Sequence, residues 1–229
     1  KRHSMKRLML LLILFTNCAE NPKENPARFS PSFTANMVKG MQWMNPPESF
    51  EVKESTLQIV AREGSDFFNN PEDGTISQSA PFLYERVSGD FVATALVEPD
   101  FRAQWNAVAL MVHIDSLNWI KFAFENSDAT GPGIVSVVTK NTSDDANGAV
   151  LSDVSRVWLA MVRKEDNYAM HWSLDGKNYQ MARLTAMKPV SGVKIGIEAQ
   201  SPVGVRATHR IHSFTVASRT VTDLRNYSE

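Results

Sequence analysis

The stretch AVALMVHIDSLNWIKFAFE, residues 107–125, indicates most directly how this chain folds. It holds two short apolar segments, separated by a break at Asp115 and Ser116 that is typical of a turn. In the second segment bulky apolar residues occupy every other position, and these are Ile120, Phe122 and Phe124. Because successive side chains of a β-strand point to opposite faces, this alternation predicts strands that bury one face in a core.

Segments of the same kind recur along most of the chain and are separated by turns rich in Gly, Asp, Asn and Pro. The predicted strands are Ser55–Ala61, Phe91–Val97, Ala107–Ile114, Trp119–Glu125, Ile134–Thr139, Arg156–Arg163, Tyr168–Ser173, Val193–Ala199 and Thr208–Val216. Asp175 and Gly176 add a specific hairpin signal, because an Asp-Gly pair readily adopts the positive φ angles of tight turns. The sequence shows no long helical periodicity, so the residues predict an all-β protein, either a sandwich or a barrel.

The composition sets bounds on the function. The chain has 229 residues, of which 43% are hydrophobic and 21% are charged, so it can bury a sizeable core. Its formal net charge is -1 and no Lys/Arg-rich run occurs beyond the first few residues, which argues against nucleic acid as a partner. Cys18 is the only cysteine, so a domain downstream of it must be stable without disulfides.

The N-terminal sequence resembles an export signal. Two basic residues precede an apolar run over residues 8–15, which is too short for a transmembrane helix but has the length of a signal-peptide core. Cys18 follows at a distance that resembles the lipobox of bacterial lipoproteins, although Asn17 departs from the usual small residue. We therefore expect residues 1–18 to be a signal peptide with lipidation at Cys18. The expected location is the cell envelope, as an exported outer-membrane or cell-surface lipoprotein, and the alternatives are an ordinary cleaved signal or a buried apolar segment.

The remaining sequence divides into three parts. Residues 19–40 contain Asn-Pro and Ser-Pro pairs and little apolar periodicity, which predicts a flexible tether. Residues 41–217 hold the predicted strands and form the sandwich domain. Residues 218–229 are predicted to be a C-terminal tail.

Six short phrases, taken in the order in which they occur, resemble one known family. They are Trp43-x-Asn45-Pro46-Pro47, Gly64-Ser65-Asp66-Phe67-Phe68, Trp119-Ile120-Lys121-x-x-x-Glu125, Ser136-Val137-Val138-Thr139, Trp172-Ser173-Leu174-Asp175-Gly176 and Gly196-x-x-x-x-Ser201-Pro202-x-Gly204. Over about residues 40–217 the chain resembles the "regulation of enolase" family, a group of domains of unknown function. That family is similar in fold to the concanavalin A-like lectins and glucanases. The resemblance implies a two-sheet antiparallel sandwich of the concanavalin A-like jelly-roll type.

The chain departs from the family pattern in the strand that begins near Trp105. Where the family usually has Asp, Gln and Gly, this chain has Asn106, Ala107 and Ala109. If those groups contact a ligand in the family, this chain has lost part of that site or has changed its specificity.

Strand alternation also predicts a ligand-binding surface. If the strands within residues 107–125 and 193–200 share a sheet, their polar and aromatic side chains line one face of it. The predicted ligand-binding residues are Trp105, His113, Trp119, Lys121, Glu125, Glu198 and Gln200. Aromatic rings offer an apolar face to a sugar ring, while carboxylates and amides bind its hydroxyl groups. The alternative is that this face is simply the solvated side of a sheet.

Catalysis and metal binding find less support in the sequence. Glu125 and Glu198 are the only pair that we nominate for a glycosidase-like hydrolase, because such enzymes place two carboxylates around the scissile bond. The Glu-x-Asp-x-Glu pattern typical of sandwich glucanases does not occur. Residues 143–148 are oxygen-rich but lack the spacing of a calcium loop, and the five histidines lack a zinc-type spacing. The sequence therefore predicts no metal and no cofactor.

The leading hypothesis is an exported, lipid-anchored β-sandwich that binds a carbohydrate or a related ligand without turnover. The first alternative is a surface protein with a structural or protein-interaction role, and the second is the glycosidase-like hydrolase. The expected partners are a glycan or another surface molecule and, through the lipid anchor, the membrane.

Overall fold

The computed structural model describes residues 33–227. In chain order this part contains α1 (Ala35–Gly40), β1 (Gln42–Met44), β2 (Ser49–Lys53), β3 (Thr56–Ala61), β4 (Phe67–Asn69), β5 (Ile76–Gln78), β6 (Phe82–Ser88), β7 (Phe91–Glu98), β8 (Ala107–Asp115), β9 (Asn118–Ser127), β10 (Gly131–Lys140), β11 (Thr142–Val150), β12 (Val157–Lys164), β13 (Asn167–Ser173), β14 (Gln180–Ala186), β15 (Gly192–Gln200) and β16 (Ala207–Ser218). No helix in this range is both long enough and apolar enough to cross a membrane.

Two antiparallel sheets of seven strands make up most of the described chain. The first sheet has the order β1-β6-β15-β8-β9-β10-β11, and the second has the order β14-β13-β12-β7-β16-β3-β2. Strands β4 and β5 form a separate two-stranded hairpin. The prediction of an all-β protein with a two-sheet antiparallel sandwich is therefore confirmed.

The main core lies between the two sheets and follows the alternation seen in the sequence. Across β8 and β9, Leu110 pairs with Phe122 and Val108 pairs with Phe124, and all four side chains are fully buried. Leu159 belongs to the same core and is contributed by the second sheet. Burying a side chain of this size stabilises the fold by about 1.5–3 kcal/mol relative to leaving it exposed to water. Apolar packing between the sheets thus holds the sandwich together.

The other side of the first sheet, which we call its outer face, is partly covered by the β4–β5 hairpin. Phe67 of the hairpin is fully buried, and its ring lies edge-to-face at 5.9 Å from the ring of Trp119. Met111 joins the same apolar cluster. Asn69 fastens the hairpin to the sheet, because its backbone N–H donates a hydrogen bond of 2.9 Å to the Ser143 hydroxyl. Part of the outer face is therefore a second core and not a solvated surface.

Strand β11 shows why some strands were not predicted from the sequence. It covers residues 142–150 and includes the oxygen-rich stretch 143–148, which the sequence predicts to be a turn. The backbone of β11 pairs with β10, while most of its side chains are exposed. An edge strand of this kind has no fully buried face, so its sequence lacks the apolar alternation by which other strands are found.

The folded domain begins before residue 41. Residues 33–40 fall within the predicted tether, but Phe33 is buried and its ring stacks on that of Phe214 at 6.5 Å. Thr34 caps α1, because its hydroxyl accepts a hydrogen bond of 3.2 Å from the N–H of Met37. The tether prediction is therefore wrong for residues 33–40, and residues 19–32 lie outside the described part of the chain.

The C-terminal segment also packs on the sandwich. Tyr227 is buried and joins Val92 and Ala160 in an apolar cluster on the side of the second sheet that faces away from the first. His171 of β13 is hydrogen-bonded through Nε2 to the backbone carbonyl of Leu224 at 2.9 Å. Residues 218–227 of the predicted C-terminal tail therefore pack on the sandwich, because their apolar side chains cover an apolar patch of the sheet.

Candidate functional site

A cavity of about 530 Å³ opens on the outer face of the first sheet, beside the β4–β5 hairpin. Its volume lies within the range of about 300–1,000 Å³ that is typical of small-molecule sites. Strands β9, β10, β11 and β15 contribute to it from the sheet, and the hairpin and its turn form the opposite wall. The residues that line the cavity are Asp66, Phe68, Asn70, Pro71, Glu72, Asp73, Thr75, Ser77, Trp105, Lys121, Glu125, Ser127, Asp128, Val135, Val137, Asp145, Asn147 and Gln200.

Four of the predicted ligand-binding residues line this cavity, and strand register explains why they meet. Strand β8 lies between β15 and β9, so that Gln200, Ala107 and Glu125 form one row across the three strands. Lys121 lies four positions before Glu125 in β9 and therefore on the same face. Trp105 precedes β8 and completes the group. A small cluster of buried alanines lies between these longer side chains.

Lys121 lines the cavity, but its ammonium group is hydrogen-bonded within the protein. Its buried ammonium donates hydrogen bonds to the Phe67 carbonyl at 2.9 Å and to Gln200 Oε1 at 2.6 Å. An Asp66 carboxylate oxygen lies 3.7 Å from Nζ. Burial by itself lowers the pKa of Lys121, but the nearby carboxyl groups of Asp66, Glu198 and Glu125 raise it above its ordinary value. Lys121 therefore remains charged and ties the hairpin to the sheet.

Glu125 is a buried carboxyl group at the cavity wall. Its side chain is only 6% exposed, yet it lines the cavity. Its carboxyl group has no hydrogen-bond partner within residues 33–227, although Lys121 attracts it electrostatically. Burial raises the pKa of Glu125 to about 7 against the opposing effect of Lys121. Near neutral pH this carboxyl group can either donate or accept a hydrogen bond from a ligand.

Trp105 stands at the cavity in a strained backbone conformation. It is 36% exposed, and its φ angle of 61° lies in the left-handed region that bulky residues rarely adopt. Its N–H donates to the Asn126 carbonyl at 2.8 Å, and its own carbonyl accepts a hydrogen bond of 2.8 Å from Gln200 Nε2. Such strain costs about 1–2 kcal/mol, and strained residues of this kind cluster at functional sites. The surrounding bonds thus hold an indole ring where it contacts solvent in the cavity.

Asn106 shows what the departure from the family pattern does in this chain. Its Oδ1 accepts hydrogen bonds from the N–H groups of Arg102 at 2.9 Å and Ala103 at 2.6 Å. Its Nδ2 donates to the Ser201 hydroxyl at 2.9 Å. Asn106 is fully buried and does not line the cavity, so it shapes the loop that carries Trp105.

Glu198 does not join Glu125 at the cavity. It lies on the same face of the same sheet, but β8 separates its strand from β9. Its side chain is fully buried, and neither carboxyl oxygen has a hydrogen-bond partner within the described chain. Burial raises the pKa of Glu198 to about 8, so the group is mostly neutral at pH 7. The prediction that Glu198 contacts a ligand, alone or as one of two catalytic carboxylates, is not supported by this placement.

His113 and Trp119 are also absent from the cavity wall. Trp119 is fully buried beneath Phe67, and the His113 ring lies 6.4 Å from the rings of both Phe67 and Phe82. Burial, with a further contribution from Lys194, lowers the pKa of His113 to about 4 and keeps it neutral. Both residues were predicted to bind a ligand, and both are instead part of the second core, because the hairpin covers this end of the face.

The residues of the hairpin and of β11 that complete the cavity were not predicted from the sequence. Asn70, Glu72 and Asp73 come from the hairpin turn, and Asp145 and Asn147 come from β11. Turn residues and an oxygen-rich stretch were visible in the sequence. Their position on the sheet was not, because it depends on contacts between distant segments. Within residues 33–227 no three or more His, Cys, Asp or Glu side chains are arranged to hold a metal ion.

Comparisons with known proteins identify relatives of this domain in yeast. The chain is 26% identical over 176 residues to "Regulation of enolase protein 1" of Saccharomyces cerevisiae, covering 76% of this chain and 88% of that protein. A crystal structure described as a functionally unknown protein from Saccharomyces cerevisiae matches with a TM-score of 0.74 and 22% identity. That match covers 80% of this chain and 99% of the solved one.

Two further solved structures share the sandwich fold at lower identity. The GH43 protein BlXynB from Bacillus licheniformis matches with a TM-score of 0.63 and 14% identity, covering 78% of this chain and 37% of that one. The carbohydrate binding module CBM66 from Bacillus subtilis matches with a TM-score of 0.52 and 14% identity, covering 77% of this chain and 95% of that one. At this identity the likeness shows the fold alone.

The predicted localisation, an exported lipoprotein of the cell envelope, is wrong. The relative at 26% identity and the solved structure at a TM-score of 0.74 both come from yeast, a eukaryote that has no bacterial envelope. The prediction depended on a short apolar run behind basic residues. Residues 1–18, with the lipidation predicted at Cys18, lie outside the described part of the chain.

The resemblance to the regulation of enolase family is confirmed at the level of the family. Residues 43–219, more than three quarters of the chain, match the family described as "Protein of unknown function (DUF1349)", and the chain belongs to this family.

Proposed function

We propose that the cavity on the outer face binds a carbohydrate and does not turn it over. The observation that carries this proposal is the pairing of Trp105 with Glu125. An indole ring is held in a strained conformation beside a buried carboxyl group that lacks a hydrogen-bond partner, and both line one preformed cavity. Strain and a buried unpaired polar group are both costly, and a bound ligand accounts for their presence.

The chemistry of the lining suits a sugar. A sugar ring has apolar C–H faces that pack on an aromatic ring, and hydroxyl groups that need donors and acceptors. Trp105 supplies the ring, while Glu125 near its pKa of about 7 supplies either a donor or an acceptor. Asn147 and Ser127 add polar groups at the same cavity. The fold shared with a carbohydrate binding module supports the proposal by analogy only.

The position of the nominated carboxyl pair favours binding without turnover. A glycosidase places two carboxyl groups on either side of the scissile bond, about 5–9.5 Å apart depending on the mechanism. Of the nominated pair, Glu125 reaches the cavity and Glu198 is enclosed in the protein. A sugar in the cavity therefore meets one member of the pair, which favours a binding protein over a hydrolase.

A glycan array followed by calorimetric titration of the best sugar tests this proposal on the full chain. Trp105→Gly removes the ring, and glycine readily adopts the positive φ angle of this position. The free energy of unfolding of the variant should therefore lie within about 1 kcal/mol of that of the parent. We expect it to bind at least about tenfold more weakly. The matched control is Leu174→Ala, because Leu174 is an exposed apolar side chain outside the cavity and its loss should leave binding unchanged.

Two results would overturn the proposal. If the parent chain binds no sugar, the proposal fails and a protein-interaction role becomes the better hypothesis for this domain. Equal binding by the parent and by Trp105→Gly would show that the sugar binds elsewhere on the surface.

A further inference from the structure

The cavity carries a strong excess of negative charge. Six of the lining residues bear carboxyl groups, and they are Asp66, Glu72, Asp73, Glu125, Asp128 and Asp145. The only basic residue among the described lining residues is Lys121. This imbalance contrasts with the whole chain, whose formal net charge is -1. The excess is therefore local to the cavity.

The excess is not neutralised by the protein. The ammonium of Lys121 is already shared among the Phe67 carbonyl, Gln200 Oε1 and Asp66. Among the ion pairs of the described chain, the Asp66–Lys121 pair is the one in which a cavity carboxylate takes part. The other five carboxyl groups of the lining form no ion pair within the described chain.

Two neighbouring residues of β11 show how specific this arrangement is. Asp144 lies outside the cavity and pairs with Arg183 at 2.9 Å. Asp145, the next residue, points to the other face of the strand and lines the cavity without an ion pair. The protein thus supplies a cation for the carboxylate that faces away from the cavity and none for the one that faces into it.

We propose that the carbohydrate bound in this cavity carries protonated amino groups, as an oligomer of glucosamine does, an inference that depends on the carbohydrate binding proposed above. A sugar ammonium next to Glu125, which is buried and forms no ion pair, would favour the charged form of its carboxyl group and pair with it. The face of the Trp105 ring attracts cations in addition to sugar C–H groups. Glu72 and Asp73, on the turn of the hairpin, raise the local concentration of cations at the opening. The same carboxylates repel glycans that carry carboxylate or sulfate groups.

The test compares three oligosaccharides of equal length by calorimetric titration into the full chain at about pH 6. They are a glucosamine oligomer, the corresponding N-acetylglucosamine oligomer and a galacturonic acid oligomer. The glucosamine oligomer should bind at least about tenfold more tightly than its acetylated counterpart, and this preference should shrink as salt is added. The galacturonic acid oligomer should bind weakest. Spermine serves as an amine without a sugar and should bind more weakly than the glucosamine oligomer.

Two variants test whether the preference for the glucosamine oligomer depends on the carboxylates of the cavity. Asp145→Asn should reduce the preference for the glucosamine oligomer about threefold to tenfold, since it removes one carboxylate from the cavity. Asp144→Asn is the matched control, because it removes the same charge from the adjacent residue outside the cavity and should keep the preference. Equal loss in both variants would overturn the inference.

The outcomes separate this inference from the proposed function. If the acetylated oligomer binds as tightly as the glucosamine oligomer, the inference is overturned while carbohydrate binding stands. If spermine binds as tightly as the glucosamine oligomer, the site recognises amines and not amino sugars, and the inference also fails. If no oligosaccharide binds at all, both proposals fall.

Discussion

Replacing Lys121 with methionine tests whether the buried ammonium holds the hairpin and the cavity together. Methionine is close to lysine in length but has no charge and donates no hydrogen bond. The Phe67 carbonyl and Gln200 Oε1 would both lose the donor that contacts them at 2.9 and 2.6 Å. Because Gln200 in turn holds the backbone carbonyl of Trp105, the change should also loosen the loop that presents the indole ring.

The expected loss of unfolding free energy is about 3–5 kcal/mol at pH 7. Each hydrogen bond to a charged group contributes about 1.5–3 kcal/mol to the free energy of unfolding. The variant no longer has the cost of burying an ammonium group, and this offsets part of the loss. Without the charge of Lys121, the pKa values of Glu125 and Glu198 rise further above about 7 and about 8. Both groups ionise with an ordinary pKa of 4.5 in the unfolded chain, so the native variant must keep protons that the native parent begins to release above about pH 7. The loss should therefore grow chiefly as the pH is raised from about 7 to about 8.

Urea unfolding of the parent and of Lys121→Met at about pH 5, 7 and 8 measures this effect. Lys140→Met is the control, because Lys140 is exposed at the end of β10 and its loss should change stability by less than about 0.5 kcal/mol. A variant as stable as the parent, or more stable, would refute the reasoning. It would mean that the apolar surroundings accept methionine as readily as the ammonium and that other contacts hold the hairpin.

Three further predictions follow from single residues. Glu198→Gln should stabilise the protein at pH 8 and have little effect at pH 5, because burial raises the pKa of Glu198 from its ordinary value of 4.5 to about 8; the native state must therefore keep a proton that the unfolded chain releases as the pH rises. Urea midpoints at both pH values check this, and a gain that is larger at pH 5 would contradict it. Trp119→Ala should lower the unfolding free energy by about 3–5 kcal/mol because the ring is fully buried, and a loss below about 1 kcal/mol would show that the ring is not part of a core. Gly196→Ala would place a Cβ atom 1.9 Å from the Leu83 carbonyl oxygen and should cost about 3 kcal/mol or more in thermal unfolding, whereas Gly40→Ala meets nothing within 4 Å and serves as its control; equal melting temperatures would refute the close approach of β15 to β6.

The main core was predictable because it depends on a period of two residues. Ile120, Phe122 and Phe124 alternate with other residues in the sequence, and all three are fully buried between the sheets. A strand that buries one face must show this alternation, so the pattern can be found without knowing its neighbours. Strand β11 was not predicted, because it is an edge strand that is stabilised by backbone pairing. Its side chains need not alternate between apolar and polar.

The candidate site was predictable only in part. Strand alternation correctly placed Glu125, Gln200 and Lys121 on one face, and register brought them together. The same reasoning predicted His113 and Trp119 as ligand contacts, but the hairpin covers them. A period of two residues identifies the face of a sheet on which a side chain lies. It contains no information about which distant segment packs on that face.

The sequence by itself therefore determined the class of the fold and the faces of its strands, because both follow from local alternation and from turn residues. Only the tertiary structure decided which part of the outer face is a second core and which part is a cavity. That division depends on where the β4–β5 hairpin lies, and the hairpin is held by long-range hydrogen bonds such as that from Lys121 to the Phe67 carbonyl. Contacts of this kind join residues more than fifty positions apart, so no local pattern in the sequence records them.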